Sequence, residues 1–391
     1  MPDYKDIRFL ESTSNLRQIL SRNSGRELSL ERANQISVCL EQGRLLFEAA
    51  QNVAWEIKPL LVYYGMVGFA KAIFLSRKLA KLESLPQRHG LTDISESLLI
   101  EEMRVRMEKG GTFQGLNDSC SELEGLIFHD RKRNKLRFSK RTSKSESFEG
   151  KEITLKDILA RIPELESLYR KTFMEEPRVV HCSHFSSDDD YEGLIEFGVH
   201  DFLPFTDLSS LELSVRDLRR RFPFLENWRV IYAAPRIAVK FGNLVRDGKS
   251  EFSTEVLEER LHVFYLNIPW ATDPASGSLQ PSVPLKFKLE ELADHCQPIR
   301  GNLTPAVETT YLIESWNELF LTELCLYYVG MFLLSSLVRY RPHSWANAIA
   351  RRSFPEKHLD DRALVLIEEF VDLGLKVFPE ATVIAINEPF S

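Results

Sequence analysis

The amino-acid sequence predicts a predominantly helical α+β protein, with a helical core from its N- and C-terminal segments and an inserted strand-containing section. Two distant segments, 59–75 and 319–338, are apolar on nearly every side, which is typical of helices at the centre of a bundle. Short alternating runs between them indicate strands. We therefore divide the chain into an N-terminal helical segment (1–110), a mixed α/β section (111–310) and a C-terminal helical segment (311–391) that packs on the first.

In the N-terminal segment, residues 28–82 carry apolar side chains at spacings of three and four, which predicts helix. Ser29 is a plausible helix start, and Pro59 is expected to begin or kink a second helix. The period then changes, because Met103, Val105 and Met107 alternate with charged residues. This alternation predicts a half-buried strand, and Gly110 with Gly111 predicts a turn after it.

In the middle section, Thr154 and Asp157 resemble a capping box at the start of a helix over 155–173, with Pro163 as a break. Residues 178–313 look rich in strands. The apolar or alternating runs there are Val179-Val180, Leu194-Ile195, Trp228 to Ala233, Ile237 to Phe241 and Leu261 to Ile268.

The C-terminal segment returns to helix, with one long apolar helix predicted over 314–340 and a shorter amphipathic one over 361–377. The first of these contains LYYVGM at 326–331, which echoes LVYYGM at 61–66. Such an echo comes either from chance or from two central helices with similar packing needs.

Composition bounds the class of protein. A formal net charge of −7 argues against a protein that coats nucleic acid non-specifically. The five cysteines are scattered and odd in number, so we expect reduced thiols and not a disulfide framework. Residues 1–22 are polar and show no secretory signal. The two apolar segments are short or interrupted for membrane spans, so we expect a cytoplasmic protein without a membrane partner.

Catalytic and cofactor motifs are absent from the sequence. It contains no GxxxxGK[ST], GxGxxG, GxSxG or HExxH, so we expect no nucleotide cofactor and no hydrolase elbow or zincin site. His181, Cys182 and His184, with His295 and Cys296 far along the chain, have unusual spacing for zinc. We therefore predict no metal ligands.

Four pieces of sequence, in order, resemble the YaaC-like family. PLLVYYGMVGFAKA at 59–72 resembles its "PLLxYYgxxxLxKA" signature, and His89-Gly90-Leu91 matches an HGL element. Gly111-Thr112-Phe113 with the 155–173 stretch matches "GTF … LxDLLxxIPxLxxxY", and residues 338–345 match "LVRYRPxxW". The resemblance implies a prokaryotic, cytosolic protein, and it supplies no catalytic residue.

Several residues are candidates for a site. Arg339, Arg341 and His343 follow an apolar helix and could bind a phosphate, although cationic side chains also favour the negative end of a helix dipole. His89 could act as a general base, or it could be structural. Lys71 could be a buried nucleophile, or its amine could pair with a carboxylate. Its possible partners are Glu48, Glu56, Glu314 and Glu318.

A basic stretch at 131–144, expected to be a surface loop or hairpin tip, carries eight positive charges without an acid. Such a stretch is an electrostatic footprint for nucleic acid, or else a solvated surface. A second cluster follows at 216–221. The candidate nucleic-acid contacts are Arg131, Lys132, Arg133, Lys135, Arg137, Lys140, Arg141, Arg219 and Arg220.

Three functions remain open, and one of them, small-molecule binding between the helical layers, has no specific support in the sequence. The first is a component that interacts with protein or nucleic acid, together with a partner protein of the same operon, in a prokaryotic antiviral defence system. The alternative is a HEPN-like ribonuclease using an Arg/His pair such as Arg352 and His358, or the residues Arg339, Arg341, His343 and His89. Pro355 interrupts the first pair, and short Arg–His spacings occur by chance.

Overall fold

The computed structural model describes residues 4–96, 99, 102–120, 125–130, 135–140, 144–186, 194–198, 213, 216–217, 219–221, 229–234, 238–242, 270–272, 279–281, 310–317, 319–349 and 363–388. Its helices α1–α4 are Lys5–Glu11, Thr13–Ser24, Leu30–Gln51 and Lys58–Lys78. Ser29 caps α3, since its hydroxyl accepts from the Arg32 backbone N–H, and Pro59 lies in the first turn of α4. The N-terminal helix predictions are therefore confirmed.

Helix α4 is the centre of the fold. It packs against α3, against α5 (Thr112–Cys120), and against the C-terminal helices α8 (Glu323–Tyr340) and α10 (Leu364–Asn387). By length and composition α4 could cross a membrane, but 72% of its apolar window is buried inside the fold. An all-round apolar surface of this kind belongs to a core helix.

Glycine lets α3 and α4 approach closely. A Cβ on Gly68 would lie 2.9 Å from the carbonyl oxygen of Cys39 and 2.9 Å from the backbone nitrogen of Gly43. Any side chain at this position would meet backbone, which cannot rotate away. The backbones of the two helices are therefore in contact at this crossing.

Helix α8 begins later than predicted. Residues 314–317 and 319–322 are not helical, and α8 starts at Glu323, where the Thr322 hydroxyl accepts from the Cys325 backbone N–H. The predicted start at Glu314 is wrong because Thr322 in an extended conformation caps the helix there. Helix α9 (Pro342–Ile349) follows, and α10 extends to Asn387, past the predicted end at Val377 and through Pro379.

The predicted strand at 103–107 is β2 (Arg104–Met107), between β1 (Leu91–Asp93) and β5 (Glu152–Thr154) in an antiparallel sheet. The predicted helix start at Thr154 is confirmed, because the Thr154 hydroxyl accepts from the Asp157 backbone N–H and donates to the Asp157 carboxylate at 2.7 Å. Helices α6 (Leu155–Leu159) and α7 (Glu166–Phe173) flank a 3-10 turn at Pro163–Leu165, where the break was predicted.

The remaining strands belong to three further sheets. One is a hairpin of β3 (Gly125–Asp130) and β4 (Lys135–Lys140). Another is a five-stranded antiparallel sheet, whose strands are β6 (Val179–Ser186), β7 (Leu194–Gly198), β8 (Arg229–Ala234), β9 (Ala238–Gly242) and β12 (Thr310–Ile313). The strand order in this sheet is β12-β6-β7-β9-β8. The third sheet pairs β10 (Trp270–Thr272) with β11 (Leu279–Pro281). The predicted run at 261–268 lies outside the described residues.

The sequence echo between α4 and α8 marks their contact. The Tyr63 and Tyr328 hydroxyls lie 3.3 Å apart, and both side chains are fully buried. The distant apolar segments thus meet in one core, and the predominantly helical α+β class is confirmed. The segment boundaries at 110 and 310 stay predictions, although α5, after residue 110, also packs on α4.

Candidate functional site

A cavity of about 770 Å³ opens beside α4. The α4 side chains that line it are Tyr64, Val67 and Lys71, whose spacing of three and four places them on one stripe of the helix. The rest of its lining comes from α3, from the loop before β1 and β1 itself, from the connection between β2 and α5, and from the first residue of α5. Those residues are Gln42, Gln87, Arg88, His89, Gly90, Leu91, Thr92, Glu108 and Thr112.

Backbone hydrogen bonds fix the loop that carries Arg88 and His89. The carbonyls of these two residues accept from the backbone N–H groups of Thr112 and Phe113 at 2.9 and 3.0 Å, which satisfies donors in the first turn of α5. Gly90 has φ +79°, and a Cβ there would lie 1.9 Å from Oε1 of Gln114. A side chain at this position would be strained and would displace the Gln114 amide, so glycine permits the backbone turn that directly follows His89.

The His89 ring is held by buried tyrosines. Its Nδ1 lies 2.7 Å from the Tyr63 hydroxyl, which in turn lies 3.3 Å from the Tyr328 hydroxyl. Burial raises the pKa of both tyrosines, so these hydroxyls stay protonated. Burial also lowers the pKa of His89, and the nearby charges of Arg339 and Lys71 lower it further. His89 is therefore a neutral imidazole at pH 7, oriented through Nδ1.

Cationic groups dominate the cavity. Within the described part of the chain, Lys71 and Arg88 form no salt bridge, and Glu108 is the one carboxylate among the lining residues. Two cations that lack carboxylate partners and share a concave surface favour an anion. Across residues 4–388, masked positions excepted, no group of three His, Cys, Asp or Glu side chains could hold a metal ion.

Arg339 reaches the site from the end of α8. Its Nη1 donates to the Tyr64 hydroxyl at 2.8 Å, and its guanidinium carbon lies 5.7 Å from the centre of that ring. Arg339 thus fixes a side chain of the cavity wall and acts electrostatically on His89. The two candidate residues come together around Tyr64, although no direct contact joins them.

The comparison with known families covers nearly the whole chain. The family model described as YaaC-like Protein matches residues 4–386. The chain belongs to the YaaC-like family. No curated protein and no solved structure matches it.

The other C-terminal candidates of this YaaC-like protein lie away from the cavity lining. Arg341 bonds the Ser95 carbonyl oxygen at 2.5 Å and approaches the Asp93 carboxylate at 3.7 Å. The Ser336 hydroxyl donates to the same carboxylate at 2.6 Å, so these residues tie α8 to β1. His343 is exposed on α9. Their catalytic roles stay predictions.

The remaining candidates fall on other parts of the YaaC-like chain. Lys135, Arg137 and Lys140 lie on β4 of the hairpin, and Arg220 pairs with Asp217. Arg219 lies beside Arg220 on the same helical turn. Nucleic-acid binding by these residues stays a prediction. The candidates outside the described residues are Arg131, Lys132, Arg133, Arg141, Arg352 and His358.

Sequence reasoning considered Lys71 and His89 separately and missed the cavity that joins them. Two of the carboxylate partners considered for Lys71 are engaged elsewhere, because Glu48 pairs with Arg8 and Arg44, and Glu314 with Arg178 and Arg221. Gln42, Tyr64, Thr92 and Thr112 were not proposed as site residues. The sequence pieces that resemble the YaaC-like family could have pointed to these residues, because most of the pieces meet at this cavity.

Proposed function

We propose that this YaaC-like protein is a binding component that recognises a phosphate-bearing ligand, a nucleotide or nucleic acid, in the cavity beside α4. The observation that carries the proposal is the pair of cations without salt-bridge partners, Lys71 and Arg88, in the described lining. An arginine fork and a lysine ammonium are the side chains that bind phosphate oxygens most strongly.

His89 supports the same ligand. As a neutral imidazole it adds no further repulsion to the two cations, and its Nδ1 is occupied by Tyr63. Its other nitrogen can then serve a ligand as a hydrogen-bond partner. An entering phosphate would raise the pKa of His89, because negative charge favours the imidazolium.

Titration calorimetry of the full chain with ribose 5-phosphate, with ribose as the uncharged control, tests the proposal. We expect the phosphate to bind and ribose not to bind. Lys71→Gln and Arg88→Gln should each weaken binding by about 10-fold or more, since each removes a charge-assisted hydrogen bond. The control Arg104→Gln removes an exposed charge from β2 and should leave affinity unchanged. Equal losses in all three variants, or none in the first two, would refute the proposal.

The setting we propose for this binding component is the prokaryotic cytoplasm, in an antiviral defence system with a partner protein of the same operon. Nucleic acids and nucleotides are the phosphate-bearing molecules that such a system handles, which links the cavity to this setting. Recovery of the tagged full chain from its host tests the setting. A partner recovered in stoichiometric amount supports it, and a chain recovered alone contradicts it.

The alternative, an Arg/His ribonuclease, is favoured by one observation, the lowered pKa of His89 beside Arg88 and Lys71. A neutral histidine can accept the proton of an RNA 2′-hydroxyl, and cations stabilise the charge that develops on phosphate. Incubation of the chain with RNA decides between binding and cleavage. Cleavage that His89→Gln abolishes supports the alternative, and intact RNA excludes it.

A further inference from the structure

The cavity is larger than a phosphate group requires. Its volume of about 770 Å³ lies within the range of sites that hold whole small molecules, roughly 300–1,000 Å³. A lone phosphate on Lys71 and Arg88 would leave most of this space to water. The cavity therefore has room for a ligand with an organic part beside its anionic group.

The wall formed by α4 changes character along the helix. Tyr64 and Val67 present an aromatic and an aliphatic surface, and Lys71 presents an ammonium group on the same stripe. Lys71 lies seven positions after Tyr64 on the helix, a rise of about 10 Å. The wall thus suits a ligand with a flat apolar group at one end and an anion at the other.

The Tyr64 ring is held in place before any ligand arrives. Arg339 bonds its hydroxyl at 2.8 Å and lies over the ring, and the His89 ring meets it edge-on with centroids 6.3 Å apart. An aromatic ring fixed in this way loses little conformational entropy on binding, and nucleobases stack on such rings.

Apart from Gly90 and Leu91, the rest of the lining is polar. The amides of Gln42 and Gln87, the Thr92 hydroxyl and the Glu108 carboxylate offer both donors and acceptors. A ligand with a plain alkyl or aryl group would leave these groups without partners, which costs binding free energy. Sugar hydroxyls and base amino groups match them.

We propose that the cavity binds a nucleoside phosphate, with its phosphate on Lys71 and Arg88 and its base on Tyr64. This inference rests on the proposed function and adds to it where the base and the phosphate of the ligand lie. Two sources share this chemistry, a free nucleotide and the phosphorylated end of a nucleic-acid chain.

Calorimetry on the full chain compares adenosine 5′-monophosphate and uridine 5′-monophosphate with ribose 5-phosphate. We expect both nucleotides to bind about 10-fold tighter or more, because a stacked base adds to the phosphate contacts. Tyr64→Leu should remove most of this advantage, whereas Tyr64→Phe, which keeps the ring, should retain it. If Tyr64→Leu does not fold, NMR spectra of the native chain provide the test. A shift of the Tyr64 ring resonances on addition of nucleotide supports the placement of the base on Tyr64, and unchanged resonances contradict it.

Ribose 5-phosphate that binds as tightly as both nucleotides would overturn the ligand class and leave phosphate binding intact. Failure of both nucleotides and of ribose 5-phosphate to bind would refute the proposed function instead, so the two failures are distinguishable. Short RNA with a 5′-phosphate or a 5′-hydroxyl separates the two sources. If the 5′-phosphorylated RNA binds more tightly than the mononucleotide and the 5′-hydroxyl RNA does not, the natural ligand is the end of a nucleic-acid chain. If the 5′-phosphorylated RNA binds more weakly than the mononucleotide, the natural ligand is the free nucleotide.

Discussion

The Tyr63 hydroxyl and the His89 imidazole lie 2.7 Å apart, and they join the central helix of the core to the loop that lines the cavity. Tyr63→Phe removes this bond and the 3.3 Å contact with the Tyr328 hydroxyl while keeping the ring. We expect a loss of about 1–2 kcal/mol of unfolding free energy, the net value of one or two hydrogen bonds, and a weaker hold on the His89 ring. Urea unfolding gives the first quantity, and the His89 resonances in NMR spectra report the second. The control Tyr340→Phe alters an exposed hydroxyl and should change neither.

The lowered pKa of His89 makes stability depend on pH in a defined direction. Below pH 6.5, the ordinary pKa of histidine, His89 takes up a proton in the unfolded chain but resists protonation in the folded chain. The contribution of His89 to the unfolding free energy is therefore complete above pH 6.5 and is lost as the pH falls through the pKa of the folded state. His89→Gln should flatten the fall below pH 6.5 relative to the native chain. Urea titrations across this range compare the two proteins, and identical profiles would contradict the assignment.

Gly90→Ala should destabilise the fold and disturb the cavity. Its φ of +79° is strained for alanine, and the added methyl group would meet Gln114. We expect a cost above about 1 kcal/mol together with reduced ligand binding. Gly150 is the matched control, because its φ is +75° but nothing lies within 4 Å of a Cβ there. Gly150→Ala should show only the smaller conformational cost, and equal costs would argue against the contact with Gln114.

Arg161 should be far more sensitive than a surface arginine. It is 7% exposed and donates to the carbonyl oxygens of Asp157, Glu314 and Ser315 at 2.8, 3.0 and 3.2 Å. Arg161→Met leaves these acceptors without their donor, so we expect a loss of about 2–3 kcal/mol. Arg170→Gln, which breaks more exposed pairs with glutamates, should cost less than about 1 kcal/mol. Thermal and urea unfolding of both variants measure the difference.

Thr322→Ala tests the observed start of α8. Removal of the Thr322 hydroxyl, which caps α8 by accepting from the Cys325 backbone N–H, should lower the unfolding free energy by about 1 kcal/mol. Thr322→Ser keeps the cap and should lower it less. Urea unfolding measures both. If helix continued through residues 314–322 in solution, alanine would be neutral or stabilising there, which would contradict the cap.

The core helices could be predicted from the sequence because their signals are local. The apolar surface of α4, the Ser29 cap and the Thr154 cap each depend on residues within a few positions of one another. The start of α8 was missed because apolar residues before Thr322 extend the helical pattern. Helix α5 was missed because it is short and its first N–H groups bond carbonyls more than twenty residues earlier.

The cavity could not be predicted from local patterns. It depends on the contact of the Gly90 and Gly111 backbones, where a Cβ on Gly111 would lie 2.3 Å from the Gly90 nitrogen. That contact brings Arg88 and His89 to Lys71 across the fold. The residue types of the site were visible in the sequence, whereas their convergence is a property of tertiary packing.

The close crossing of α3 and α4 at Gly68 has a consequence for how the cavity can change shape. Helices whose backbones touch cannot slide past each other without steric overlap, so Gln42 and Lys71 are carried on a single rigid wall. Any closure around a ligand must therefore come from the opposite side, where Gln87 and Arg88 are exposed.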